Sequence, residues 1–226
     1  MARAVNIYGG RDPRQIAMYT AAEAAVSLAI PKQTLSYWLR GRTYTLANGK
    51  TRDVPALVVP DEDGALSFEN LVELHVLRSL WLARIRKLRR AVDYLRDALG
   101  VARPLLEIDI MHAGVQVIVD HKGELISPSE SGQVNIRRVI ESHVKRVIRD
   151  EDDVAQKVFP FLRTGEKRRL FEINPRVKFG RLCLAGTRIP VEVLWSRHRA
   201  GDSAEDLAED YDQALNTIQR ALAAAA

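Results

Sequence analysis

Apolar residues recur at intervals of three and four in several stretches of this chain and at shorter or broken intervals between them. That alternation predicts where helices give way to strands. The first helical stretch opens on Thr20-Ala21-Ala22-Glu23, a capping box, and buries Ala24, Ala25 and Leu28. Pro31 opens the next, with Leu35, Trp38 and Leu39 on one side and Gly41 at its end. Arg42 to Leu46 and Lys50 to Arg52 flank Asn48-Gly49, the signature of a β hairpin. Ser67 caps a longer helix carrying Phe68, Leu71, Leu74, Leu77 and Trp81, and Ile85 to Leu99 forms another with Leu88, Val92, Leu95 and Leu99 inward. After Gly100 and Pro104 the pattern shortens. Leu105 to Ile110, Val115 to Val119 and Glu124 to Ile126 read as a small meander, with His121-Lys122-Gly123 as a turn. A helix follows Gly132-Gln133, with Ile136, Val139, Ile140, Val144, Val147 and Ile148 on one face.

The last quarter changes period twice. Asn174-Pro175 marks a turn, and Gly180 and Gly186, each suited to positive φ, bracket the strand-length apolar run Arg181 to Ala185. Pro190 fits the first turn of a helix whose inner face is Val191, Val193, Leu194 and His198, stopped by Gly201. Ser203 and Asp206 have capping-box spacing and start a second helix with Leu207 and Tyr211 inward. A third runs from about Gln213 with Leu215, Ile218 and Leu222. The predicted class is α+β. Residues 1–16 form a flexible lead, 17–100 a helical domain with a hairpin, 101–165 a small α/β segment with a packing or dimerisation role, and 166–226 a β hairpin with three helices.

Two helices joined by so tight a turn fit a helix-turn-helix. The second offers Lys32, Gln33, Ser36, Tyr37 and Arg40 to the outside, residue types that read base edges and phosphates. Arg42, Lys50 and Arg52 make the hairpin basic, which suits a wing along the DNA backbone. Arg84, Arg86, Lys87, Arg89 and Arg90 add a basic cluster nearby. The run TAAEAAVSLAIPKQTLSYWLRG resembles the MerR-type winged helix-turn-helix, with a longer wing. That resemblance implies double-stranded operator DNA as a partner. Proteins of this kind bind as two-fold dimers, so a homodimer is expected.

The C-terminal module carries the opposite charge. Glu205, Asp206, Glu209 and Asp210 line its middle helix, a face that phosphate would repel and a basic protein would attract. Here NPRVKFGRLCLAGTRIPVEVL followed by AGDSAEDLAEDY resembles the short C-terminal domain of VapB-type antitoxins. Gly186-Thr187-Arg188 and the closing Asp210-Tyr211 carry the match; Arg181-Leu182 departs from it mildly. The resemblance implies a cognate PIN-like ribonuclease toxin as partner. Arg188 has the reach to pair with Asp206 or Asp210, and Thr187 is placed to cap the helix after Pro190.

Composition narrows the rest. The 226 residues include 46% hydrophobic positions and carry a net charge of +5, so the distribution of charge matters more than its total. A lone cysteine, Cys183, excludes an intramolecular disulfide and argues against thiolate metal sensing. The five histidines lack metal-site spacing, although His112 and His121 could meet across a hairpin. The run Asp150-Glu151-Asp152-Asp153 reads as a solvated boundary, since neighbouring carboxylates do not converge on a point. No nucleophile elbow, P-loop or dinucleotide fingerprint is present. The expectation is a cytoplasmic, non-enzymatic antitoxin without metal or cofactor. A MerR-like effector-sensing regulator is the alternative.

Overall fold

Helix α3, Phe68–Leu82, lies at the centre of the computed structural model, which describes residues 8–60, 62–83, 88–107, 138–162 and 168–224. Ser67 caps it by accepting from the Asn70 amide, while the Asn70 side chain accepts from the Ser67 amide. Sequence period assigns one apolar face to this helix. In the structure Phe68 and every residue from Asn70 to Leu80 are buried, and the end, Trp81 and Leu82, is exposed. A helix buried all round needs cover from two sides. One cover is α1, Ala21–Ser27, with α2, Lys32–Arg40, contributing Leu28, Leu35 and Trp38. The other contains α5, helical residues 138–144, with Ile140 and Val144.

The polar residues that α3 takes inside each find a partner, as burial demands. Glu73 accepts from Arg103 at 2.6 Å, Arg78 donates to the Phe161 carbonyl at 2.6 Å, and Ser79 donates to the Val76 carbonyl. Helix α4, Leu88–Leu99, packs Val92 and Leu95 into the same core.

The N-terminal elements follow the sequence closely. Thr20 and Glu23 form the reciprocal capping box of α1, and Gly41 ends α2 at φ 70°. Strands β1, Arg42–Thr45, and β2, Thr51–Val54, pair antiparallel around Asn48-Gly49, with Arg42 opposite Val54 and Tyr44 opposite Arg52. The lead is less free than expected. Tyr8 donates to the Pro175 carbonyl, and Arg14 bridges Asp12 and Asp150 at 2.6 and 2.7 Å.

The middle of the chain departs from the sequence reading. Leu105 and Leu106 lie in a 3-10 turn, Pro104–Leu106, not a strand; Pro104 fixes the turn and both leucines pack on the core. Val147 and Ile148 leave the predicted helix for strand β3, Val147–Arg149, which pairs with β4, Ala155–Val158. Their β-branched side chains suit that sheet. Asp150 to Asp153 make the hairpin turn between these strands, with Asp150 accepting from the amides of Asp152 and Val154. The other predicted strands, the His112–His121 pairing and the start of the helix after Gly132 lie outside the described residues, as do Arg84, Arg86 and Lys87.

Strand β5, Phe171–Glu172, pairs with β6, Cys183–Leu184, and Ile173 joins Val158 through two backbone hydrogen bonds. Three helices follow: α6, Val191–Arg199; α7, Ala204–Asp210; and α8, Leu215–Ala223. Their shared core holds Phe171, Leu184, Val191, Leu194, Leu207, Ile218 and Ala221. Two expected inner positions are exposed instead, His198 and Leu215. Trp195 replaces the first, donating its indole N–H to the Ala221 carbonyl at 2.8 Å. Ala221, fully buried, takes the place of the second.

Candidate functional site

Each exposed polar residue predicted for α2 is on its outer surface. Lys32, Gln33, Tyr37 and Arg40 are exposed and Ser36 is half-buried, opposite the buried Leu35, Trp38 and Leu39. Gln33 donates its amide to the Tyr37 hydroxyl at 3.0 Å, one helical turn away. The guanidinium of Arg42 lies 5.9 Å from the Tyr37 ring centre and 5.5 Å from that of Tyr44. This joins α2 to the hairpin through one aromatic and basic surface. Lys50 and Arg52 are exposed along the same hairpin. A groove of about 210 Å³ runs between the start of α1 and α2, edged by Lys32, Ser36 and Arg40. Arg89 of α4 donates to the Pro55 carbonyl just beyond β2, and Arg90 is exposed. Sequence reasoning missed Tyr44. Strand alternation would have found it, since residues i and i+2 share a face.

In the C-terminal module the acidic residues divide by role. Glu205, Asp206, Glu209 and Asp210 are all exposed on α7. Asp206 completes the capping box with Ser203, whose hydroxyl holds its carboxyl below the usual range. Asp210 accepts from Arg197 at 2.6 Å, and Asp202 accepts from the same guanidinium at 2.5 Å. Tyr211 completes the clamp, with Arg197 5.6 Å from its ring centre. The guanidinium is accordingly held above its ordinary pKa, first by Tyr211 and then by Asp210 and Asp202. Arg188, expected in that role, is exposed and has no carboxylate partner among the described residues. It sits on the turn after β6, whereas Arg197 projects from the last turn of α6. Thr187 is also corrected. It donates to the Leu184 carbonyl and accepts from the Ile189 amide, stabilising the turn at Gly186 rather than the helix. Pro190 is the N-cap residue itself. Arg197→Ala is therefore expected to lower the melting temperature and Arg188→Ala to leave it nearly unchanged. Thermal melts followed by circular dichroism test this; equal effects would contradict the clamp.

The two ends of the chain meet at a cleft of about 410 Å³. Glu23 and Val26 of α1 form one wall, and Phe179, Leu182 and Trp195 the other. Tyr19 forms the floor against Gly180, with its hydroxyl buried and pushed up in pKa by desolvation. Val26 and Phe179 are 52% and 60% exposed, unusual for their type. Beneath α3 lies a second polar cluster. His75 bonds the His143 carbonyl and His143 bonds that of Val139, each at 3.0 Å, while Arg146 stacks 3.6 Å from the Phe161 ring centre. Burial, reinforced at His75 by the neighbouring His143 and at both by Arg78 and Arg146, pushes His75 down to about 3 and His143 to about 4. Among the described residues no group of three or more His, Cys, Asp or Glu side chains could hold a metal ion. No described helix is long and apolar enough to cross a membrane.

Residues 172–224 match the family model DUF433, described as a protein of unknown function. The span coincides with the hairpin and three helices of the C-terminal core. A Mycobacterium tuberculosis protein described as "Putative antitoxin VapB45" is 24% identical over 231 residues, 93% of this chain and 95% of its own length. The crystal structure of Rv2018 from the same organism shares the fold, with a TM-score of 0.65 over 92% of this chain and 98% of that chain, at 20% identity.

Proposed function

We propose that this chain is the antitoxin of a type II toxin–antitoxin module, a DNA-binding repressor that also silences a PIN-like ribonuclease. The observation that carries the reading is the end-to-end likeness to a protein described as an antitoxin, which spans 93% of this chain and not the C-terminal module alone. The exposed basic and aromatic surface of α2 and its hairpin supports operator recognition in the manner of a MerR-like winged helix. The exposed carboxylates Glu205 and Glu209 support docking of a basic protein surface. In this reading the protein is a cytoplasmic homodimer that uses no metal or cofactor and catalyses nothing itself.

Co-expression of the full chain with a neighbouring PIN-like gene product tests the proposal. The expected result is co-purification and loss of ribonuclease activity. Reversing Glu205 and Glu209 to lysine is expected to slow association and reduce its salt sensitivity, because rim charges act mainly on the on-rate. Failure of the full chain to bind or silence that product would sink the antitoxin reading. The cleft between α1 and the C-terminal module favours a second reading, an effector-sensing regulator. That reading gains if a small molecule shifts the DNA affinity of the isolated protein.

A further inference from the structure

We infer that Arg42 reads a guanine base in the operator, and that Tyr37 and Tyr44 hold it in position to do so. The inference rests on the DNA-binding half of the proposed function and assigns a specific task within it.

The geometry starts from the hairpin register. Residues directly opposite one another in an antiparallel pair share a face, and successive residues alternate. Arg42, Tyr44, Arg52 and Val54 therefore lie on one face, and Thr43, Thr45, Thr51 and Asp53 on the other. The two faces differ in chemistry. The first is basic and aromatic. The second is hydroxylic, and its Asp53 accepts from the Thr43 hydroxyl at 2.5 Å. Asp53, the hairpin's only carboxylate, is thus turned away from Arg42. No carboxylate elsewhere among the described residues takes the Arg42 guanidinium as an ion pair.

The guanidinium is nevertheless confined. It lies within 6 Å of two ring centres, 5.9 Å from Tyr37 on α2 and 5.5 Å from Tyr44 on β1. Tyr37 is itself oriented by the amide of Gln33. A guanidinium held over aromatic rings keeps N–H donors that the rings do not take up. Guanine demands that combination. Its O6 and N7 accept two parallel hydrogen bonds from a fork held in one plane, a pair that other bases do not offer. A side chain already restricted loses less freedom on binding. A phosphate contact has no such requirement. Arg40 and Lys50, exposed and without a ring partner of this kind among the described residues, suit that role. Arg42 thus stands apart from the other basic residues of the surface, with Tyr37 and Tyr44 as positioning residues.

The experiment uses the full-length protein and fluorescence anisotropy. Duplexes tiled across the DNA preceding its coding sequence are compared with a random-sequence duplex. In the tightest-bound duplex each G·C pair is then replaced in turn by A·T. Wild type is expected to lose about tenfold or more at one G·C position. Arg42→Lys keeps the charge but not the fork. It should bind the parent and that substituted duplex alike, while its affinity for random DNA stays within about twofold. Tyr44→Phe should retain the base profile and Tyr44→Leu should flatten it, with circular dichroism verifying that each variant is folded. The inference is overturned if Arg42→Lys preserves the full base profile, or if it weakens operator and random duplexes equally, which would make Arg42 a phosphate contact. A wild-type protein that binds no duplex would instead remove the DNA-binding reading, a result distinct from either.

Discussion

Gly41→Ala is expected to destabilise the protein by at least about 3 kcal/mol, because two independent costs fall on one atom. Gly41 sits at φ 70° and ψ −161°, a conformation that is essentially reserved for glycine. An added Cβ would also overlap the Val54 carbonyl oxygen and lie 2.8 Å from the Pro55 carbonyl carbon. Both are backbone atoms, so no side chain can swing aside. Relief requires β2 to move away from the end of α2, which disrupts the Arg42–Val54 pairing that helps to hold Arg42 in place. DNA affinity should fall together with stability. Gly49→Ala is the control. It has a similar φ of 75°, but its Cβ would meet nothing within 4 Å, so only the conformational cost of about 1 kcal/mol remains. Denaturant unfolding of both variants tests the contrast, and equal destabilisation would refute it.

The second large effect is a loss of stability in acid, centred on His75 and His143. Both imidazoles are buried and neutral, beside the guanidinium groups of Arg78 and Arg146. Their folded pKa values, about 3 and about 4, lie below the ordinary 6.5. Below pH 6.5 the unfolded chain takes up protons that the folded chain refuses. The stability associated with the pair is therefore complete above pH 6.5 and is lost as pH falls toward 4. Each imidazole removes about 1.4 kcal/mol per pH unit in that window. Two together can exhaust the stability of an ordinary domain before pH 4. Melting temperature measured from pH 7 to 4 should fall steeply, and His75→Phe should make the fall shallower. Proton NMR offers a check that does not depend on how the variant folds, since two imidazole signals should remain unprotonated at pH 5. If all histidines titrate near 6.5, the buried pair is not neutral as described.

How much of this was legible beforehand varies with the range of the interaction. The capping boxes at Thr20–Glu23 and Ser203–Asp206 were readable because each is closed within four residues. The Asn48-Gly49 hairpin and the stops at Gly41 and Gly201 are local in the same way. The burial of α3 was not readable. Its apolar period specified one face, and the second was buried by α5 and Phe161, which arrive from far along the chain. Val147 and Ile148 continue a helical spacing perfectly well; their strand is decided by Val158 and Lys157, their partners across β4. The candidate sites divide similarly. The outer residues of α2 follow from its period. The Tyr37–Arg42–Tyr44 contact and the Arg197 clamp depend on how separate elements meet, so Arg188 drew an assignment that belongs to a residue nine positions later.

The central helix also sets a timetable for synthesis. Residues of one continuous core run from Tyr19 to Ile173, and α3 lies in the midst of them. Ile173 is bonded through its backbone to Val158, so that flank closes only when both have left the ribosome. At translation rates of about 5–20 residues per second, the interval between the end of α3 and Ile173 lasts on the order of 5–20 s. Throughout it, α3 is made and has the cover of α1 and α2, but its other side still lacks α5 and Val158. In those seconds the nascent chain is a client for chaperones and a substrate for proteases, and the fraction that escapes both helps to fix how much folded protein each messenger yields.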